Sequence, residues 1–121
     1  MNTNTDNAIK ISRILHAGYV FEYMNTTIAF DTIFENPFSR NCYAFPNVHF
    51  DYQMIQKLKF DAVFISHYHD DHCSLESLNY LDRKTPIYIF CIHSQLFDWI
   101  KQLGFLNVKP LTLNQSVVIH Q

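Results

Sequence analysis

The sequence is short of glycine, of net charge and of long hydrophobic runs, and each shortage excludes something. Only two of the 121 residues are glycine, so each glycine is expected where the backbone has a particular requirement. The net charge is −2 and Lys and Arg do not cluster, which argues against nucleic-acid binding and a basic membrane-binding face. No apolar run approaches the ~20 residues of a transmembrane helix. The polar opening, MNTNTDNA, lacks a signal-peptide core, so we expect a soluble, cytoplasmic protein.

Cysteine is also scarce, and its pattern is uninformative for metal binding. Cys42, Cys73 and Cys91 are odd in number and show no CxxC spacing, which predicts reduced, partly buried thiols. Hydrophobic residues make up 48% and charged residues 17% of the chain, as expected for a globular core. We therefore predict a disordered polar N-terminus over residues 1–7, followed by one globular unit over residues 8–121.

Strand and helix patterns alternate along this globular unit. Alternating or continuous apolar residues predict strands, and apolar residues at helical spacing after a capping residue predict helices. The predicted strands are 8–15, 19–24, 27–31, 61–66, 86–91, 107–113 and 116–120. The predicted helices are 51–59, 74–82 and 94–104, with Asp51 and Ser74 as the N-caps of the first two and Gly104 at the end of the third. Residues 32–50 show no period and are predicted to form a long loop, a kind of segment that is often functional.

This order of elements predicts the fold class. A three-strand meander followed by strand–helix alternation is typical of an α/β (α+β) domain built on a mixed sheet with outer helices. A plain doubly wound sheet would not begin with a meander. The last predicted strand runs to the end of the sequence without a polar tail, so we also expect the domain to be truncated.

The stretch FISHYHDDH, residues 64–72, concentrates side chains that bind metals. His67 and His69 are two positions apart, so in extended backbone both imidazoles point to the same side. Asp71 and His72 follow where the chain turns into the next predicted helix. Imidazole and carboxylate suit zinc, iron and manganese, and the strand before them supplies rigid support. The H-x-H-x-D-H spacing therefore predicts a metal site, and the alternative is a solvated, histidine-rich turn.

Four segments resemble one known family. FDAVFISHYHDDH resembles the metal-loop motif of metallo-β-lactamase-fold metallohydrolases, and TIAFDTIF resembles an earlier strand of that family that ends in aspartate. ILHAGYVFEY resembles the opening strands of the subgroup that contains ascorbate-6-phosphate lactonase-like and N-acyl-phosphatidylethanolamine phospholipase D-like proteins. LGFLNVKPLTLNQSVVI resembles a later helix-to-strand segment. The chain thus looks like the N-terminal half of such a protein.

The resemblance implies an αββα sandwich of two similar halves with a two-metal site between them. It assigns His67 and His69 to the first metal. Asp71 and His72 would belong to the second, with Asp71 also acting in catalysis. Asp31 would hold the metal loop by hydrogen bonds.

Further roles follow from the resemblance for residues outside the motif. His16 matches the opening histidine of the subgroup and would line the substrate cleft, and Arg40 in the long loop would meet an anionic group there. The family's remaining ligands lie beyond this sequence, so each metal would have two ligands here. His49, His93 and His120 have no ligand context, and Cys73 is expected to pack in the core, although a place near the metal stays open.

The implied activity is hydrolysis of an ester, lactone, amide or phosphodiester bond in a small-molecule substrate by a metal-activated water. Zinc is the expected metal, with iron or manganese as alternatives. Two other functions stay open: a dinuclear-iron redox or oxygenase-like protein, and a non-catalytic metal-binding half-domain. A chain with half a site is expected to be a poor catalyst and to associate, either with a second copy or with the missing C-terminal half.

Overall fold

The computed structural model describes residues 7–120, which form a six-stranded mixed sheet with short helices on one face. Residues 1–6, which are predicted to be disordered together with Asn7, lie outside the described residues. The strands are β1 (Ile9–Ile14), β2 (Gly18–Tyr23), β3 (Thr26–Phe30), β4 (Ala62–Ile65), β5 (Ile87–Ile89) and β6 (Val108–Pro110). The helices are α1 (Tyr52–Ile55), α2 (Leu75–Leu78) and α3 (Ser94–Gln102).

The sheet order follows the chain, β1-β2-β3-β4-β5-β6. The first three strands pair antiparallel and form the predicted meander, and β3 to β6 pair parallel. Each parallel connection crosses over through a helix, and successive crossovers in one direction place the helices on the same side. The predicted α/β class with a mixed sheet and outer helices is confirmed, and it is the arrangement that the resemblance implies for one half of an αββα sandwich.

Local signals set the helix boundaries. Asp51 accepts a hydrogen bond from Met54 N at 3.2 Å, and Ser74 accepts one from Ser77 N at 3.1 Å, so both act as the predicted N-caps. Gly104 follows the last turn of α3 with a φ of +108°, a conformation that favours glycine. The first two helices are one turn each, shorter than predicted. Within residues 7–120, every helix is too short or too polar to span a membrane.

The hydrophobic core lies between the helices and one face of the sheet. Its strand members alternate along the parallel strands, as the pleat requires, and its helix members come from the inner faces of the three helices. The fully buried residues include Ala29, Val63, Ile65, Ile87, Ile89 and Ile100.

The opposite face of the sheet carries aromatic side chains. Register places Tyr19, Phe30, Phe64 and Tyr88 in one row across four strands. The Phe64 and Tyr88 rings stack with their centroids 5.1 Å apart, and the Phe30 and Phe64 centroids are 6.5 Å apart. Phe30 remains 36% exposed. We call the face that carries this row, together with the paired residues Phe21 and Ile28, the aromatic face.

The strand predicted at 116–120 is wrong. This segment is irregular, and its apolar side chains border a groove on the β1–β3 part of the aromatic face. His120 Nε2 lies 3.0 Å from Asp61 Oδ1. Strand propensity chiefly reflects how well a side chain packs on a sheet surface. The apolar side chains of this segment make such contacts without the segment joining the hydrogen-bonded sheet.

Gly18 stands where the start of β2 meets the chain that leaves β3. A Cβ atom at Gly18 would lie 2.8 Å from Ile14 O, 2.9 Å from Thr32 Cα and 3.0 Å from Asp31 O. These neighbours are backbone atoms, which cannot swing aside as a flexible side chain would. Gly18 therefore permits the close approach that holds the end of β3 in place.

We expect Gly18→Ala to force a backbone shift at Asp31 and to lower the free energy of unfolding by about 1–3 kcal/mol, the usual cost of overpacking. Chemical denaturation monitored by circular dichroism measures this change. A midpoint identical to that of the parent protein would contradict the close approach.

Candidate metal centre

The candidate site lies at the carboxyl ends of two adjacent parallel strands. Asp31 directly follows β3, and residues 66–72 directly follow β4. Because β3 and β4 pair in parallel, the chain leaves both strands at the same edge of the sheet, the one formed by their carboxyl ends. Ligand sites of open α/β sheets favour this edge, so the fold brings the predicted aspartate next to the predicted metal loop.

Asp31 anchors the metal loop through three hydrogen bonds. Its Oδ1 accepts from Ser66 N at 2.7 Å, and its Oδ2 accepts from Ser66 Oγ at 2.5 Å. His72 Nδ1 lies 2.9 Å from the same Oδ2. The residue is only 3% exposed, and its backbone φ of 49° is unusual for a residue other than glycine. A buried carboxylate with three donors is satisfied, and it fixes both ends of the loop.

These bonds also orient two imidazoles. The Asp31 carboxylate only accepts, so His72 Nδ1 donates and leaves Nε2 free as an acceptor. Ser66 gives its single hydroxyl proton to Asp31, so its oxygen can accept from His67 Nδ1, which is 2.8 Å away. The Nε2 of His67 is then also free. Metal-bound histidines are typically held in this way by a partner on the other ring nitrogen.

Donor atoms of the motif converge within the described residues. Ligand atoms of His67, His69 and Asp71 lie within 4.8 Å of one another, and so do those of His16, Asp71 and His72. Asp71 belongs to both groups. The rings of His67 and His72 are close, with centroids 4.1 Å apart. Neutral imidazoles with one carboxylate form a donor set that fits zinc, iron or manganese.

The structure separates the two residues predicted for the substrate cleft. His16 lies against the motif, with Nε2 3.2 Å from Asp71 Oδ2. Arg40 lines a cavity of about 650 Å³ on the flank of the motif. Among the described motif residues, only Asp70 borders this cavity. Ser39 Oγ donates to Asp70 Oδ1 at 2.6 Å and ties the long loop to the motif there.

The three remaining histidines belong to neither donor group. His49 pairs with Asn47 in the long loop, with 3.1 Å between Nε2 and Nδ2. His120 contacts Asp61 at the opposite end of β4. The His93 ring packs edge-on to Tyr68, at 5.1 Å between centroids. Cys73 is buried in the core, and burial together with the nearby Asp31 charge raises the pKa of its thiol to about 12.

Two residues with polar roles at this edge were not singled out from the sequence. Ser66 connects Asp31 to His67, and its only sequence signal is a hydroxyl at the last position of a predicted strand, directly before the motif. Glu35 accepts hydrogen bonds from the hydroxyls of Ser74 and Ser77 in the cavity that Arg40 lines. Burial raises the pKa of Glu35, with a further contribution from Glu76. Glu35 has no sequence signal, because it lies in the unpatterned loop.

No protein-family model and no curated protein sequence matches the chain. Solved structures do resemble it. An isothiocyanate hydrolase from Delia radicum gut bacteria superposes with a TM-score of 0.62 at 19% identity, over 89% of this chain and 44% of that one. A possible metal-dependent hydrolase from Veillonella parvula superposes with a TM-score of 0.62 at 20% identity, over 88% and 45%. The chain thus shares the fold of hydrolases and spans less than half of their length.

We expect Asp31→Asn to weaken divalent-metal binding by about 10–100-fold, the usual effect of removing a carboxylate that orients a ligand. The amide cannot accept from all three donors, so His72 and Ser66 lose their fixed positions. Isothermal titration with Zn²⁺ measures the change.

Asp61→Asn is the matched control for this substitution. Asp61 Oδ2 also accepts a backbone hydrogen bond, from Thr27 N at 2.7 Å, but at the opposite end of the same two strands. This control should change stability while leaving metal affinity intact. Equal metal affinity in both variants would argue against the role of Asp31.

Proposed function

We propose that this chain carries the metal-binding part of a metal-dependent hydrolase of the metallo-β-lactamase superfamily. The observation that carries this proposal is the convergence of His67, His69, Asp71 and His72 at the carboxyl edge of parallel strands, supported by the buried Asp31. Solved proteins of similar fold include an isothiocyanate hydrolase and a possible metal-dependent hydrolase. The subgroup named from the opening strands belongs to the same proposal.

In this proposal His67 and His69 hold one ion, and Asp71 and His72 hold a second. Zinc is the metal of first choice, and iron and manganese fit the same donors. A bound pair of such ions supplies a water of lowered pKa and polarises the scissile bond. The chain's own contribution is to fix the imidazoles through Asp31 and Ser66 and to offer a carboxylate oxygen of Asp71 as the acceptor for the water's proton.

The substrate proposed is a small molecule with an ester, lactone, amide or phosphodiester bond. The two free positions of the motif, Tyr68 and Asp70, each border a cavity on one flank of the loop. The cavity at Tyr68 has a volume of about 620 Å³ and includes Trp99 and Ile92, which suits an apolar group. The cavity at Asp70 includes Arg40, which suits an anionic group. Substrate recognition on both flanks is consistent with hydrolysis at the metals between them.

We expect the double variant His67→Ala/His69→Ala to bind markedly less metal per chain than the parent, because it removes both imidazoles of one ion. Elemental analysis after equilibration with Zn²⁺ or Mn²⁺ and desalting measures the metal content. His49→Ala/His120→Ala is the matched control, since it removes two histidines outside the donor groups. Identical metal content in the parent and the His67→Ala/His69→Ala variant would refute the site.

The metal itself separates the proposed function from its redox alternative. Colourless zinc or manganese protein that turns over an ester or phosphodiester supports hydrolysis. Protein purified with iron and showing visible absorption would favour the dinuclear-iron alternative. Metal binding without turnover of any hydrolase substrate would favour the non-catalytic half-domain.

The aromatic face supports a proposal about association. Phe30, Phe64 and Tyr88 form a partly exposed apolar row with no helix over it among residues 7–120, while residues 117–120 border only the β1–β3 part of this face. Continuous apolar surfaces commonly mark interfaces. We assign this surface to a second copy of the chain or to a further half-domain. Either would build the second sheet of a sandwich.

We expect the isolated chain to form dimers, and Phe30→Lys to shift it toward monomer by placing a charge in the apolar row. Sedimentation equilibrium measures the change. Met54→Lys is the control, because Met54 is exposed on α1, away from this face. A parent protein that sediments as a monomer at every concentration would contradict self-association.

A further inference from the structure

We propose that His16 is the third protein ligand of the ion held by Asp71 and His72. This inference rests on the proposed function and changes the role of His16, which the resemblance places in the substrate cleft. His16 lies 55 positions before Asp71 and outside the motif, so its approach depends wholly on the fold.

The distances between the donor atoms are close to the edges of a coordination polyhedron. His16 Nε2 and His72 Nε2 lie 3.2 Å and 3.5 Å from the same atom, Asp71 Oδ2. Zinc bonds of about 2.0–2.2 Å in a tetrahedron set its donor–donor edges at about 3.3–3.6 Å. N–H···O hydrogen bonds extend to about 3.2 Å, so the His72 pair lies beyond that range and the His16 pair lies at its upper limit. All three donor atoms also lie within 4.8 Å of one another, which is close to the spacing that a shared ion requires.

The chain holds the His16 ring in this place from several sides. His16 lies in the turn between β1 and β2, and its carbonyl accepts a hydrogen bond from Arg13 Nη2 at 2.9 Å. Its ring stacks on Phe38 of the long loop, with 5.3 Å between centroids, and meets the His72 ring edge-on at 5.9 Å. Gly18, two residues later, allows this turn to pack against Asp31. The same aspartate orients His72, so both histidines share one rigid support.

The consequence is a more complete site than the motif alone provides. The motif supplies only Asp71 and His72 to the second ion, and His16 raises the number of protein donors to three. Three protein ligands and one open position are the usual arrangement of a catalytic zinc site. With Asp71 assigned to this ion, His67 and His69 supply two ligands to the other, so we expect a single chain to fill the three-ligand position first.

The His16→Gln substitution tests the inference, because glutamine keeps a polar side chain at this position but removes the imidazole. Isothermal titration with Zn²⁺ should show the tighter binding event weakened by at least about tenfold in His16→Gln. His49→Gln, which changes a histidine outside the donor groups, should bind like the parent. Circular dichroism of each variant verifies that the fold is retained.

A second measurement uses the parent protein and does not depend on any variant folding. With ¹⁵N-labelled histidine, addition of Zn²⁺ should move the Nε2 resonance of His16 to the position of a metal-bound nitrogen, and the His49 resonance should stay in place. An unmoved His16 resonance, or a His16→Gln variant that binds Zn²⁺ as the parent does, would overturn the inference.

These results are distinguishable from failure of the proposed function. If His16 is not a ligand but the site is real, metal content still falls in the His67→Ala/His69→Ala variant. If the parent binds no divalent metal at all, both the site and the His16 inference fail together.

Discussion

The candidate site depends on one buried carboxylate. Asp31 joins the end of β3 to both ends of the metal loop by accepting from Ser66 and His72, and it is almost fully removed from solvent. Its left-handed backbone turns the chain out of the strand at the point where the loop arrives. Strain of this kind at a loop junction is typical of functional sites, where surrounding structure holds it in place. Without this carboxylate, His72 would lose its partner on Nδ1, and Ser66, which contacts His67, would lose its own acceptor.

The sheet supports the candidate site at one edge, and its two faces have different surroundings. One face is buried under three helices, and the carboxyl edge of its parallel strands carries the donor atoms. The aromatic face has no helix over it within residues 7–120. The two faces of the sheet therefore differ: one is packed under helices, and the other carries the aromatic row.

Several features were predictable because they are local. The apolar strand before His67, the caps Asp51 and Ser74 and the helix end at Gly104 each depend on neighbours within a few residues, and the structure confirms them. The meander and the mixed sheet with outer helices followed from the order of the predicted elements. The strand at 116–120 was not predictable in this way, since an apolar run shows only that a segment seeks burial and not which surface buries it.

The sequence by itself determined which residue types could bind a metal, and at what spacing along one strand end. Only the tertiary structure decided which distant residues join them. Asp31 bonds to partners 35 and 41 positions away, and His16 approaches Asp71 across a greater separation. Such contacts depend on strand order and register, which arise from packing of the whole sheet. For this reason the motif could be recognised from the sequence, whereas the contacts of Ser66 with Asp31 and of His16 with Asp71 depend on the folded protein.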